Sequence, residues 1–266
     1  MRLAALLMLA CAAFAQDSQQ PNVVDANLQA RASSGDLKSD LRAASPTWFG
    51  YAIKSRHVNE SCCDECRLEG SAHSSRHPVP LDGSDIQALL FRVTSNGPEK
   101  LTIRPMSCSL DAGGLPFVWL TGVSPAESLS FLKSLTDSNG SDHLARSAVF
   151  AISQHEGPAA TTALEGLAHL PEPARIRSEA IFWLAQQAGN RAASLIKDAI
   201  ENDPDTEVKK KAVFALSQLP KDEGVPKLIE VAQENRNREV RKQAFFWLGQ
   251  SNDPRALAFI EQVLAK

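Results

Sequence analysis

Ala148-Val149-Phe150-Ala151-Ile152-Ser153-Gln154 returns as Ala180-Ile181-Phe182-Trp183-Leu184-Ala185-Gln186, then as Ala212-Val213-Phe214-Ala215-Leu216-Ser217-Gln218, then as Ala244-Phe245-Phe246-Trp247-Leu248-Gly249-Gln250, each block 32 positions after the one before. An apolar residue stands four positions ahead of every block, at Leu144, Ile176, Val208 and Val240, and another follows it at Leu164, Ile196, Leu228 or Ile260. A fixed period of roughly 20 to 50 residues marks stacked units, none of which can bury its apolar side alone. Inside a unit, Leu144, Ala148, Ala151 and Ile152 keep helical spacing and predict one buried stripe. The central alanine lets neighbouring helices approach closely. A second helix follows; in the last unit it is read from Pro254 through Leu257, Ile260 and Leu264, after Ser251-Asn252-Asp253 has ended one helix and capped the next. The expected fold is therefore mainly α, with an α-solenoid of four two-helix repeats over residues 141–266.

These residues resemble the HEAT repeats, in particular the short bacterial subtype seen in phycobilisome-lyase-like proteins. Glu207-Val208-Lys209-Lys210-Lys211-Ala212 and Glu239-Val240-Arg241-Lys242-Gln243-Ala244 resemble that family's acidic-Val-basic-x-x-Ala helix, and Asp253-Pro254-Arg255-Ala256-Leu257 its second helix. The resemblance covers nearly half the chain and implies a fold. It does not by itself imply an activity, because sites are grafted onto folds. As a whole the chain is similar to exported bacterial HEAT-repeat proteins with a small cysteine-containing region ahead of the repeats. One enzyme of this solenoid class, deoxyhypusine hydroxylase, binds two irons through His-Glu pairs on several helices. Here there is one such pair, His155-Glu156, and the equivalent places are Gln187-Ala188, Leu219-Pro220 and Ser251-Asn252. A di-iron site needs several converging carboxylates and imidazoles. No cofactor is expected.

Ahead of the repeats, residues 46–136 read as a small α+β region. Trp48–Ile53, Ile86–Thr94, Leu101–Met106 and Leu115–Leu120 are strand-like, with Ser95-Asn96-Gly97-Pro98 as the turn of a hairpin. The stretch from His57 to Pro80 has no period and reads as loop. Ser124-Pro125-Ala126-Glu127 starts a helix with a capping serine and a proline in its first turn. Asp137-Ser138-Asn139-Gly140 is a run of turn formers and the expected domain boundary. Residues 16–45 are polar, with faint spacing through Leu28, Leu37 and Leu41, and read as a linker with at most one loose helix.

The first residues, MRLAALLMLACAAFAQ, combine one cation at Arg2, an apolar run from Leu3 to Ala12 and the small-x-small set Ala13-Phe14-Ala15. This is the pattern of a secretory signal, residues 1–15, cleaved after Ala15. The run is short of the roughly 20 residues a membrane span needs. Met8-Leu9-Ala10 is a poor match to the small-residue pattern that lipidation of Cys11 would require. The expected location is periplasmic or extracellular, with no integral membrane segment after signal removal.

Cys62, Cys63, Cys66 and Cys108 then form an even set in an oxidising compartment, which predicts disulfides. The region has few apolar residues for its long loop, and a bridge closing a loop of about 40–45 residues adds several kcal/mol. The expected bridge joins Cys108 to one of Cys62, Cys63 or Cys66. A zinc site from Cys63, Cys66, His73 and His77 is the weaker alternative, because six residues between Cys66 and His73 is short against the roughly 12–15 of a finger. Redox use of Cys63 and Cys66 is opposed by Glu60, Asp64, Glu65 and Glu69, which disfavour a thiolate.

The formal net charge is −3, so nothing draws the whole molecule to phosphate backbones. Lys209, Lys210, Lys211, Arg236, Arg238, Arg241 and Lys242 look basic in isolation, yet residues 201–261 hold ten Lys and Arg against eleven Asp and Glu. That composition predicts a solvated charged face and no nucleic-acid partner. Turning at about 100° per residue, Phe150 lies roughly 240° from Leu144, off the buried stripe. Phe150, Phe182, Phe214 and Phe246, each followed a turn later by Gln154, Gln186, Gln218 or Gln250, are thus expected either to form an aromatic and amide ladder on the inner surface or to fill gaps between repeats. Solenoids use such surfaces for contacts. The expected function is a non-catalytic protein-binding scaffold of the cell envelope or exterior, with another protein or peptide as partner. The alternative is an enzyme or enzyme accessory of the phycobilisome-lyase or deoxyhypusine-hydroxylase-like HEAT class, a lyase or an oxidoreductase.

Overall fold

The computed structural model describes residues 20–63, 66–70, 79–137, 141–169, 171–188 and 190–265. The candidate signal segment and the histidines His73 and His77 lie outside the described residues. The chain divides into two compact units at Phe131/Leu132, a few residues before the turn formers that suggested the boundary.

The first unit contains β1 (Asn22–Val24), β2 (Leu28–Ala32), α1 (Leu37–Asp40), β3 (Thr47–Cys62), β4 (Cys66–Arg67), β5 (Val79–Thr94), β6 (Gly97–Pro105), β7 (Ser109–Asp111), β8 (Phe117–Thr121) and the start of α2 (Pro125–Thr136). A five-stranded sheet runs β2-β8-β3-β5-β6, and a three-stranded one runs β1-β7-β4. The expected hairpin is β5–β6, in register from Gln87↔Pro105 to Thr94↔Gly97. Alternation along β3 sends Phe49, Tyr51 and Ile53 to one face and Trp48, Gly50 and Ala52 to the other. On the first face Tyr51 stacks on Phe91 at 5.7 Å, Phe91 meets Phe131 of α2 edge-on at 5.6 Å, and the buried Tyr51 hydroxyl shares a 2.8 Å hydrogen bond with Ser128. On the second face Trp48, Leu90, Phe117 and Trp119 form one buried cluster with Cys62, Cys66, Cys108 and Leu110. Gly50 pairs with both Leu90 and Trp119, and a Cβ there would stand 2.7 Å from the Leu90 methyl and 2.9 Å from the indole. Only glycine fits that crossing.

Two expectations for this unit need correction. Residues 20–45 are not a linker: β2 pairs in parallel with β8, and β1 with β7. Most of β2 is exposed, so as an edge strand held through its backbone it shows no apolar alternation. The helix there is a single turn, capped by the Asp36 carboxylate on the Lys38 N–H. The loop read from His57 to Pro80 is also too long, because β3 continues to Cys62 and β5 begins at Val79.

The second unit is helical. α3 (Asp142–Gln154), α5 (Ala174–Ala188), α7 (Thr206–Ser217) and α9 (Arg238–Gln250) are the first helices of the repeats, and α4 (Pro158–Leu167), α6 (Asn190–Asn202), α8 (Lys221–Glu234) and α10 (Pro254–Leu264) the second. Side chains of Ser141, Asp205, Asn237 and Asp253 cap α3, α7, α9 and α10 by accepting backbone N–H bonds. The expected stripe is buried in every repeat: Ala148, Ala180, Ala212 and Ala244 are all fully inaccessible, as are Ile176, Val208 and Val240. A second small-residue column, Ala160, Ala192, Gly224 and Ala256, recurs at 32 residues in the second helices. At Gly224 a Cβ would stand 2.5 Å from the Leu216 carbonyl oxygen, so α8 begins pressed against the end of α7. In α10 the buried face differs from expectation: Ala256 and Phe259 are inside, while Leu257 and Leu264 are 59% and 81% exposed. Phe259 stacks on Phe245 of α9 at 5.5 Å, and the larger ring displaces the leucines from that contact.

A buried ion pair ties the two ends of the second repeat together. Arg177, near the start of α5, reaches Asp203 beyond the end of α6 through two 2.7 Å hydrogen bonds and also donates to the Glu172 carbonyl. Burial alone would raise the Asp203 carboxyl, but the Arg177 guanidinium and the Asp205 N–H carry it below its ordinary value. The hydrogen bonds to Asp203 in turn raise Arg177.

Candidate protein-interaction site

The first helices pack on one another in succession, and this brings the phenylalanine column into register. Phe150 meets Trp183 at 4.8 Å, Trp183 meets Phe182 edge-on at 4.9 Å, and Phe182 stacks on Phe214 at 5.7 Å with planes 5° apart. Phe214 then meets Trp247 at 4.8 Å, and Trp247 meets Phe246 at 4.9 Å. Six rings thus form an unbroken chain across four repeats. The geometry is possible because the residue after the phenylalanine alternates: Ala151 and Ala215 are small, and Trp183 and Trp247 reach back over the phenylalanines beside them. Phe150, Phe182 and Phe214 are partly buried by these contacts, and Phe246 is 53% exposed. The rings both pack between repeats and show an edge to solvent. The two tryptophans were not among the residues singled out from the sequence; their signal was their appearance in alternate blocks.

The amides are less regular. Gln186, Gln218 and Gln250 are exposed. Gln154 is not; it is 6% accessible, and its amide donates to the Ser153 hydroxyl at 3.2 Å. The amide ladder therefore spans three repeats of the four. The nearby Gln187 donates to the Ser153 carbonyl, which links α5 to α3. The indole nitrogens of Trp183 and Trp247 are buried without a hydrogen-bond partner among the described residues. Lys211 lies over this surface, with its ammonium 4.9 Å from the Phe182 centroid and 5.1 Å from that of Phe214.

His155 and Glu156 differ in their surroundings. His155 is 2% accessible and its Nδ1 lies 2.9 Å from the Ala151 carbonyl, whereas Glu156 is exposed. Burial holds the imidazole below its ordinary value of 6.5. Among the described residues no three His, Cys, Asp or Glu side chains gather as metal ligands. Cys62 and Cys108 stand at disulfide-bonding distance with Cα atoms 5.5 Å apart, and Cys63 and Cys66 do the same at 5.2 Å. The zinc alternative would need Cys63 and Cys66 as free thiols, and its His73 and His77 lie outside the described residues. Four of the seven basic residues are engaged locally: Lys210 with Glu207, Lys242 with Glu239, Lys209 with the Glu201 carbonyl and Arg241 with that of Asn235. The second helices stand further apart than the first and leave a 620 Å³ groove between α6 and α8, where Lys197 bridges to Glu230 at 3.1 Å. No described helix is long and apolar enough to cross a membrane.

Residues 193–266 match the family model of HEAT repeats. The helical unit is a HEAT-repeat domain. Among solved structures, the chain is similar to the complex of CpcE and CpcF of phycocyanin lyase from Nostoc sp. PCC7120, with TM-score 0.42 and 19% identity over 53% of this chain and 91% of that one. It is also similar to human deoxyhypusine hydroxylase in complex with glycerol, with TM-score 0.37 and 21% identity over 46% of this chain and 43% of that one. No curated protein sequence matches the chain. The HEAT match begins at 193, although the repeat register begins at Ser141. The earlier units lack the acidic-Val-basic start, with His143-Leu144-Ala145 and Arg175-Ile176-Arg177 in its place.

Proposed function

We propose that the chain is a non-catalytic, exported protein-binding scaffold, and that the ring ladder of the HEAT domain is its docking face for another protein or peptide. The observation that supports this reading is the unbroken course of Phe150, Trp183, Phe182, Phe214, Trp247 and Phe246, which ends in a phenylalanine more than half exposed. Aromatic side chains with a free edge are enriched at the centres of protein interfaces, where they bury much area at little entropic cost. Export rests on the leader-like first residues and on the pairing of four cysteines. The test is capture from the exported fraction with tagged full-length protein. Phe246→Ser should abolish capture and leave the fold intact; undiminished capture would exclude the ladder as the docking face. N-terminal sequencing of the mature protein should begin at Gln16, and a chain that keeps Met1 and stays in the cytoplasmic fraction would remove the export reading.

A further inference from the structure

The cations along the ladder are not equivalent. Lys210 and Lys242 are neutralised on their own helices by Glu207 and Glu239, each at 2.9 Å, and Arg175 is neutralised by Asp142 at 2.9 Å. Lys211 is held differently. Its ammonium sits over the two stacked rings of Phe182 and Phe214, and among the described residues no carboxylate lies within salt-bridge distance of it. Glu179, at the same register one repeat earlier, forms no ion pair with it. Ring faces attract a cation through their quadrupole without cancelling its formal charge. The rings therefore fix a net positive charge at the middle of an apolar strip.

We infer that the occupant of the ladder is an acidic segment of a protein partner, with a carboxylate at Lys211 and adjacent apolar side chains over the open edges of Phe182, Phe214 and Phe246. This rests on the ladder being the docking face. An acidic side chain gives Lys211 the carboxylate partner it lacks among the described residues. A neutral or basic segment would cover Lys211 and strip its water without replacing it, which discriminates against such ligands. Gln186 and Gln218, exposed one turn beyond the rings, present donors and acceptors suited to the main chain of an extended segment. The ammonium is already positioned before binding, so less side-chain freedom is lost on contact.

A display library of random dodecapeptides, panned against the full chain at low salt, tests this directly, with affinities of recovered peptides measured by fluorescence anisotropy. Recovered peptides should carry Asp or Glu beside apolar residues. Lys211→Gln should weaken them roughly fivefold, the upper end for one exposed ion pair, and Lys211→Arg should restore them. Raising salt from about 0.05 M to 0.5 M should weaken binding as screening sets in. Neutral or basic peptides recovered equally well, a Lys211→Gln protein with unchanged affinities, or a single-stranded oligonucleotide binding more tightly than the acidic peptides would overturn the inference while leaving the ladder a docking face. Recovery of no peptide sensitive to Phe246→Ser would overturn the docking face itself.

Discussion

Removing the two cysteine pairs one at a time should have unequal consequences. Cys62 and Cys108 are 46 residues apart, and Cys63 and Cys66 are 3 apart. On the chain-entropy estimate, a bridge over the longer loop stabilises the first unit by about 4 kcal/mol and one over the shorter by about 1.5 kcal/mol. Cys62 and Cys108 also lie in the buried cluster with Trp48, Leu90 and Trp119, so replacing both by alanine adds a small packing loss of about 1 kcal/mol. The double change Cys62→Ala/Cys108→Ala should thus remove most of the stability of a domain that holds about 5–15 kcal/mol. Cys63→Ala/Cys66→Ala should leave the unit folded. Hydrogen exchange read by mass spectrometry over Leu89–Phe91 gives the result for this unit alone, with the HEAT domain as internal control. At about 1.4 kcal/mol per tenfold, the first variant should exchange roughly 4000-fold faster there and the second about tenfold. Equal acceleration in both variants, or none, would refute the loop-length argument, and four free thiols in the native protein would remove its premise.

Within the HEAT domain, Phe182→Ser removes a largely covered ring from two aromatic contacts and should cost about 3 kcal/mol, whereas Phe246→Ser should cost about 1 kcal/mol; urea denaturation that ranks them the other way would contradict the packing described. Arg177→Ala leaves the Asp203 carboxylate buried and unpaired and should cost about 3–5 kcal/mol. Because the folded-state Asp203 carboxyl lies below its ordinary value of 3.8, the stability it contributes is complete above that value and is lost as pH falls through the lower folded one; thermal unfolding of Arg177→Ala should lose that acid-side dependence. The His155 imidazole is also depressed, by burial, so its contribution is complete above 6.5 and declines as pH falls below it. His155→Gln should flatten the decline in melting temperature between about pH 6.5 and pH 5, since an uncharged amide does not titrate there. An unchanged slope would show that this histidine does not control the transition.

Much of the helical unit could be read from the sequence because each residue in the repeat is tested four times. Ala148 alone says little, but Ala148, Ala180, Ala212 and Ala244 together announce a helix contact that tolerates no larger side chain. The first unit offered no such redundancy. Its hairpin was legible because β5 and β6 flank Ser95-Asn96 just ahead of Gly97, whereas β1 is only three residues long and β2 is mostly exposed, so neither carries a readable alternation. The long arms of β3 and β5 were missed because their cysteine- and serine-rich ends carry no alternation. At the candidate site, helical angles placed Phe150 and its equivalents off the buried stripe but could not decide between packing and exposure, since the rings do both. The neighbouring tryptophans help to decide how much of each ring is covered, and Trp183 and Trp247 reach back to Phe150 and Phe214 on the preceding first helix, a relation between repeats that no single helical wheel contains.

The alternation of Phe150-Ala151 with Phe182-Trp183, and of Phe214-Ala215 with Phe246-Trp247, makes the repeats unequal in parity. The first and third junctions of the ladder set a phenylalanine against a tryptophan, and the second sets phenylalanine against phenylalanine. Excising one 32-residue repeat from the middle would bring like against like, either two alanine-bearing helices with a void where an indole belongs or two indoles competing for one gap. Excising or duplicating 64 residues would restore every junction. The heritable unit of length in this solenoid is thus the pair, and variants of the chain should differ in length by even numbers of repeats.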